Sequence, residues 1–575
     1  MKDEKNSRRG PVGEETHHGP EVPEGPVTPP PKLAELCYSD YSALEDQEAV
    51  DLVTDLGLMA PVDGAFGPDK PVSEAELAEL AAKTAALMDG TAARALEGAL
   101  GLPKDWGLTR IACARRLRDA MLAADGTGAL PKLYYRVPVA PETGRMEFDH
   151  TLVFSDSCSA VENTGNSEVV FRNSRIIGAT TAEAEPLKGP PAGLLIEGNL
   201  RTTLALKQSQ AWYINSKVEA ANWAGFSTDS GRPVQAEGQK ELAVYVYGSD
   251  ATVRDAGYGV YSDVFCNVFL YGANLQAAEI GIVSGTFGKF HTGNIRDGEA
   301  CPALAAELTA HDRARQAEKE RPTVVTAGRN AIMAHCVSLP PFWVYPGFSQ
   351  EELPYHTAEA TIRNTVLRTD ASLDRHLTYP QEAAAYIRHH AGSVVLVKSC
   401  NVDFTFDNVR MEPDPRGTHA LIHTAINSDI AFMVRVPEGQ RHPGQKIRMR
   451  NMAVCGDILH EDYQRDLYLT LEDAALTGKI FTGTADTWNA LAYEAGFPSF
   501  AIDPEGYHTV HGSHLYLTGS SRWTVTETSS LHELVLEDTA QIAPPEGKRL
   551  AMTVDGVPVA LAAGHYQGDI RVTVS

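Results

Sequence analysis

No run of about 18 apolar residues occurs in the chain, so no segment is expected to cross a membrane as a helix. Basic residues are scarce: 50 Lys and Arg stand against 75 Asp and Glu, a net charge of −25. Phosphate backbones are held by clustered Lys and Arg, so nucleic acid is excluded as a partner. The acidic surplus suits a solvated exterior, with cations or a polysaccharide nearby. The eight cysteines are scattered and form no CxxC pair, which excludes a disulfide framework or zinc site and leaves buried free thiols. GxSxG, Walker and dinucleotide fingerprints are all missing. The opening MKDEKNSRRG is polar and lacks the apolar core of a signal peptide. Two expectations follow, a protein that stays in the cytoplasm or one whose leader has been removed.

What is present is organised around 241–285. There Val244 and Val246 alternate with Tyr245 and Tyr247, and Gly, Asn or Asp ends each short run. Period-two alternation in such runs predicts strands. With no helical segment between runs, βαβ units are excluded. A chain that turns after each strand can stack into a solenoid of parallel sheets. The predicted fold is mainly β, a right-handed parallel β-helix over 131–575 with a small all-α domain at 34–130. Residues 1–33, rich in Pro, Glu and Gly, form a disordered tail.

In the helical part, Ala49, Val53, Leu56 and Leu58 give a helical stripe, Asp63-Gly64 turns the chain, and Ser73 with Glu76 fits a capping box. Tyr38-Ser39-Asp40, Leu56-Gly57-Leu58, Asp63-Gly64-Ala65-Phe66-Gly67-Pro68 and Val72-Ser73-Glu74-Ala75-Glu76 together resemble one S-layer homology repeat. The family motif Thr-Arg-Ala-Glu is replaced here by Ser73-Glu74-Ala75-Glu76, while Leu108-Thr109-Arg110-Ile111 resembles a second, degraded copy that keeps its arginine. The resemblance implies binding of bacterial cell-wall polysaccharide, with Arg110 as the wall-binding residue. The alternative is a small helical cap with no ligand.

Beyond Gly126 a signature recurs, Asn followed two or three places on by an apolar residue, at Asn173, Asn215, Asn401, Asn408 and Asn451. Asn tolerates left-handed backbone and bonds a stacked neighbour, so these are expected corners, and the 42 residues from Asn173 to Asn215 suggest two turns of about 21. Two insertions interrupt the strands. Residues near 302–330 are Ala-rich and charged, and predict helix. Residues 338–390 hold an aromatic, Pro-rich loop at 338–355, with Phe342 and Trp343, and a second short helix after Pro380. The L-x-L runs from Asp466 onward resemble the right-handed parallel β-helix of bacterial surface and adhesin-like proteins.

Candidate chemistry concentrates near the central stretch. Tyr258, Tyr261, Asp263 and Asp229 are candidate acid–base residues, since a phenol and a carboxylate two apart on a strand sit about 6.6 Å apart on one face. Trp212, Trp223, Tyr247, Phe342 and Trp343 are candidate sugar-stacking residues, and plain packing of these aromatics is the bland alternative. Asp403 and Asp407 lie about 13 Å apart along a strand, too far for a glycosidase pair. They read as solvated acids, with Ca²⁺ the one ion they could attract. His419 and His423 lack the Glu of a zincin helix, so no metal is assigned. The expected function is glycan or cell-wall binding by an adhesin-like protein of the cell surface. The alternatives are a carbohydrate-active β-helix enzyme (lyase, epimerase or hydrolase) with a Tyr/Asp site, and a cytoplasmic assembly protein. Oligomeric state is not predicted.

Overall fold

The computed structural model describes residues 33–575 except 74, 78, 81–108, 126–131, 136, 140–142, 155–158, 179–200, 207, 220–223, 230–243, 263–265, 286–287, 316–318, 336–356, 375–390, 399, 418–419, 426–440, 463–464 and 484–511. It is mainly β, with long parallel sheets and few helices. The loop at 338–355 and the helix expected after Pro380 lie outside the described residues.

Alternation sets the strands. In Asn401–Asp407 (NVDFTFD), Val402, Phe404 and Phe406 are buried, Asp403 is exposed, and Thr405 and Asp407 are half-buried. Apolar residues at every second position give a pleated ribbon one dry face and one wet one. Gln445–Arg450, Leu467–Glu472 and Ser513–Thr518 repeat the pattern. All four belong to a first sheet of 15 strands, parallel from Arg145–Asp149 to Ser529–Leu536 and continued by the antiparallel strand Gly564–Val574.

A second sheet of 18 strands runs as two half-columns, spanned by the long strands Thr252–Ser262 and Asn274–Ser284. Elsewhere the halves are separate strands, such as Lys217–Glu219 and Ala224–Asp229. A third sheet has four short strands, from Ala453–Cys455 to Gln541–Ala543. From residue 445 the chain visits all three sheets in turn. Gln445–Arg450 lies in the first, Ala453–Cys455 in the third, Asp457–His460 in the second, and Leu467–Glu472 is back in the first. Arg450 then faces Glu472, a step of 22 residues.

Corners after first-sheet strands carry left-handed residues: Asn173, Asn215, Asp250, Asn364, Asn408, Asn451 and Asp473, with φ between 43° and 54°. Asn and Asp enter this region more cheaply than other L-residues, and the amide bonds the strand below. Asn408 donates to Asn364 Oδ1 at 2.7 Å and Asn451 to Asp407 Oδ1 at 2.8 Å. Asn401 departs from the expectation. It opens a strand, is buried, and its Oδ1 accepts from the Gly444 amide at 3.3 Å. The 42 residues from Asn173 to Asn215 make one pass through the sheets rather than two, because Glu168 pairs directly with Gln210.

Residues of all three sheets meet in one apolar cluster that includes Val169, Phe226, Leu275, Phe404, Ile422, Leu476 and Trp523. Each buried side chain of this size contributes about 1.5–3 kcal/mol. The Trp523 indole is satisfied by the Gly478 carbonyl at 3.0 Å.

The N-terminal helices Leu33–Cys37, Gln47–Asp55 and Arg110–Asp125 surround a separate core of Tyr38, Val53, Phe66 and Leu117. This module rests on the second sheet. Cys37 packs on Leu152 and Ile177, and Gly57, at φ 64°, lies against the Arg175 guanidinium, where a Cβ would collide. Within the segment expected to be helical, short helices Pro302–Glu307 and Ala310–Arg315 follow Ile295–Glu299 and form a flap over the first sheet. Leu304 and Leu308 pack on Trp212, Tyr247 and Tyr271. Glu307 pins the flap by accepting from Arg145 at 2.6 Å and Arg172 at 3.3 Å.

Candidate functional site

The structure separates residues that the sequence grouped together. Trp212 and Tyr247 face outward from the first sheet, whereas Tyr258 and Tyr261 lie on the second. The two pairs share no face.

Register stacks Trp212, Tyr247, Phe269 and His291 in one row, with ring centroids 5.3, 5.1 and 4.8 Å apart and planes within 16° of parallel. Arg145 covers the free face of Trp212 at 5.8 Å. Sugars bind aromatic faces, and here each face is taken by a neighbour. Trp212 and Tyr247 are only 4% and 5% exposed. They hold the flap, and the sugar-stacking role expected of them does not fit this geometry. Burial, reinforced by Lys289, lowers the pKa of His291 and favours the neutral ring that continues the stack.

Tyr258 and Tyr261 stack at 6.2 Å in an apolar patch with Ile280, Val283, Met333 and Leu396. Tyr258 is buried. Nearby, Arg329 forms a bidentate pair with Asp374 (2.9 and 3.0 Å) and reaches Glu279 at 3.3 Å. Burial works against the guanidinium charge, but Asp374 and Glu279 raise its pKa. The Asp229 backbone ends the strand Ala224–Asp229. Asp263, Trp223, Phe342 and Trp343, and the side chain of Asp229, lie outside the described residues.

Arg110 does not face a wall polymer. Its side chain is 1% exposed, donates to the carbonyls of Phe66 and Ala60 at 2.6 Å each, pairs with Glu76 and covers the Phe66 ring. The Thr109-Arg110 motif is consumed in tying the helices of the module together. Asp403 and Asp407 fall in different rows of the first sheet, and Asp407 accepts from Asn451. Among the described residues no group of three or more His, Cys, Asp or Glu converges as a metal site. His423 is fully buried against Glu461 at 2.7 Å, and His419 lies outside the described residues.

Among the described residues, the outer face of the first sheet beyond the flap is uncovered. Its central row continues from His291 through Thr361, Thr405, Arg448, Thr470 and Tyr516, each half-buried. Five steps of about 4.8 Å make a flat strip about 24 Å long. Glu359, Asp403, Lys446, Tyr468 and His514 flank it on one side; Arg363, Asp407, Arg450, Glu472 and Thr518 flank it on the other. The strip presents hydroxyl, guanidinium and carboxylate groups at strand spacing. Alternation alone marks these positions as the wet face, and nothing in the sequence says that they align.

The far end of the strip is tied together by hydrogen bonds. His514 stacks on Tyr468 at 4.7 Å, and its Nδ1 lies 2.9 Å from Glu533. Glu533 accepts from Tyr516 (2.5 Å), His565 (2.7 Å) and Gln567 (3.0 Å). Burial opposes its ionisation, but these bonds bring the carboxyl down to about 2. Burial alone would lower the His514 pKa, yet Asp466 and Glu533 on either side raise it. Comparison with protein-family models, curated proteins and solved structures finds no match to this chain.

Proposed function

We propose that the three sheets form a right-handed parallel β-helix of a bacterial cell surface, and that it binds glycan along the outer face of its first sheet. The order of sheet visits, the left-handed corners and the single apolar cluster support the coil. One observation carries the function: the row Thr361–Thr405–Arg448–Thr470–Tyr516 is half-exposed, in register and uncovered among the described residues. A flat, regularly spaced polar strip suits an extended polymer, whose many weak contacts add along its length. The S-layer-homology-like module adds attachment to the wall, with Arg110 as its scaffold rather than its ligand group.

Thr405→Trp tests this reading, because it fills the strip and leaves the buried Val402, Phe404 and Phe406 in place. Binding to a panel of immobilised bacterial polysaccharides is expected to fall at least about tenfold, with the thermal midpoint unchanged. Unaltered binding would remove the strip from the reading. The second reading, a carbohydrate-active enzyme, draws on Tyr258 lying beside the Arg329–Glu279–Asp374 group. It requires glycan turnover that Tyr258→Phe abolishes, and wild-type protein with no turnover ends it.

A further inference from the structure

The charges on the strip are not equivalent. In the outer row Arg450 is paired with Glu472 at 2.6 Å, and Arg363 lies 3.9 Å from Asp407. In the central row Arg448 has no carboxylate within 4.0 Å among the described residues, and its one hydrogen bond goes to Thr405 Oγ1 at a weak 3.4 Å. Lys446, two residues earlier on the same face, is exposed and stands in register with Asp403, with no carboxylate within 4.0 Å among the described residues. Thr405 and Thr470 stand on either side of Arg448 in register.

A chain carrying 75 acidic residues has ample means to neutralise two surface cations. Arg363, Arg450, Arg368 and Arg145 are all matched in this way. We infer that Arg448, with Lys446 and the Thr405 and Thr470 hydroxyls, forms a subsite for a sugar carboxylate, so that the glycan is a polyuronate or similarly acidic polymer. This rests on the glycan-binding reading above. A guanidinium offers two parallel N–H groups that match a carboxylate, and the hydroxyls supply further donors at strand spacing. The overall negative charge restricts such a ligand to short-range contact, because repulsion beyond about 8 Å is screened at physiological ionic strength.

The probes are polygalacturonate, its fully methyl-esterified form and dextran sulfate, immobilised and titrated with the full chain. Polygalacturonate is expected to bind at least about tenfold more tightly than the ester, with Arg448→Gln removing that difference. Arg448→Lys should restore only part of it, since a point charge lacks the fork. Arg410→Gln, exposed on the second sheet, should change nothing. Equal binding of acid and ester, an inert Arg448→Gln, or a preference for dextran sulfate overturns the carboxylate assignment. If neutral glycans bind and Thr405→Trp abolishes that binding, only the charge assignment fails. If no glycan binds, the reading of the strip fails with it.

Discussion

Arg110 shows how a residue singled out as a ligand group becomes a scaffold once its neighbours are known. Its charge is enclosed by Phe66, Ala60 and Glu76, so truncation strands two carbonyls and a carboxylate. Leaving a buried carbonyl unsatisfied costs about 1–3 kcal/mol, so losing both is a large share of what a small helical module can hold. Arg110→Ala is therefore expected to melt the module, seen as a loss of far-UV helical signal and rapid proteolysis within 33–125. A stable module with reduced wall binding would restore the ligand role. The sequence showed the arginine but not its enclosure, because Phe66 and Ala60 lie more than forty residues away. Trp212 was obscured in the same way, since the leucines that bury it arrive from the distant flap. Asn408 and Asn451 were legible because a left-handed corner is a local demand that few residue types meet.

At the scale of elements, alternation in NVDFTFD and LYLTLE gave both the strand and its wet face. Register across strands could not be read. Consecutive first-sheet strands are separated by 22 residues in one place and 42 or 44 in others, so no fixed period aligns Thr405 with Arg448. The clasp between the Ser529–Leu536 strand and the closing strand Gly564–Val574 has a pH signature. His514 has a raised pKa, so its contribution is complete below its unfolded value near 6.5 and is lost as pH rises through the folded value. Glu533 is depressed to about 2, so its contribution is complete above about 4.5 and is lost as pH falls toward 2. Amide exchange at 564–574 is expected to be slowest between about pH 4.5 and 6.5 after correction for intrinsic rates. His514→Gln should flatten the alkaline side of that window; an unchanged profile would remove the imidazole from the clasp.

For the molecule as a whole, stacked parallel strands leave a bare edge at each end, a standing invitation to further pairing. Here the direction of the chain reverses once, and Gly564–Val574 occupies the edge of Ser529–Leu536. Ending the chain at residue 545 should convert a discrete species into one that associates end to end, measurable by sedimentation. A truncated chain that sediments as the intact one does would assign the blocking to another element. Along most of the stack the chain alternates between the first and second sheets, and the third joins only from Ala453 onward, so neighbouring passes need to agree only where they touch.

The 22-residue step between Gln445–Arg450 and Leu467–Glu472 has a genetic corollary. Copying or excising one such unit in the gene would lengthen or shorten the binding strip by a single notch and keep every hydroxyl and charge in line. A one-residue change inside a strand would turn the rest of that strand inside out and drive its acids into the core, whereas the corners absorb such changes, since neighbouring steps of 44 and 43 residues keep the same face outward. The chain is thus open to growth at its corners and closed to single-residue edits within its strands.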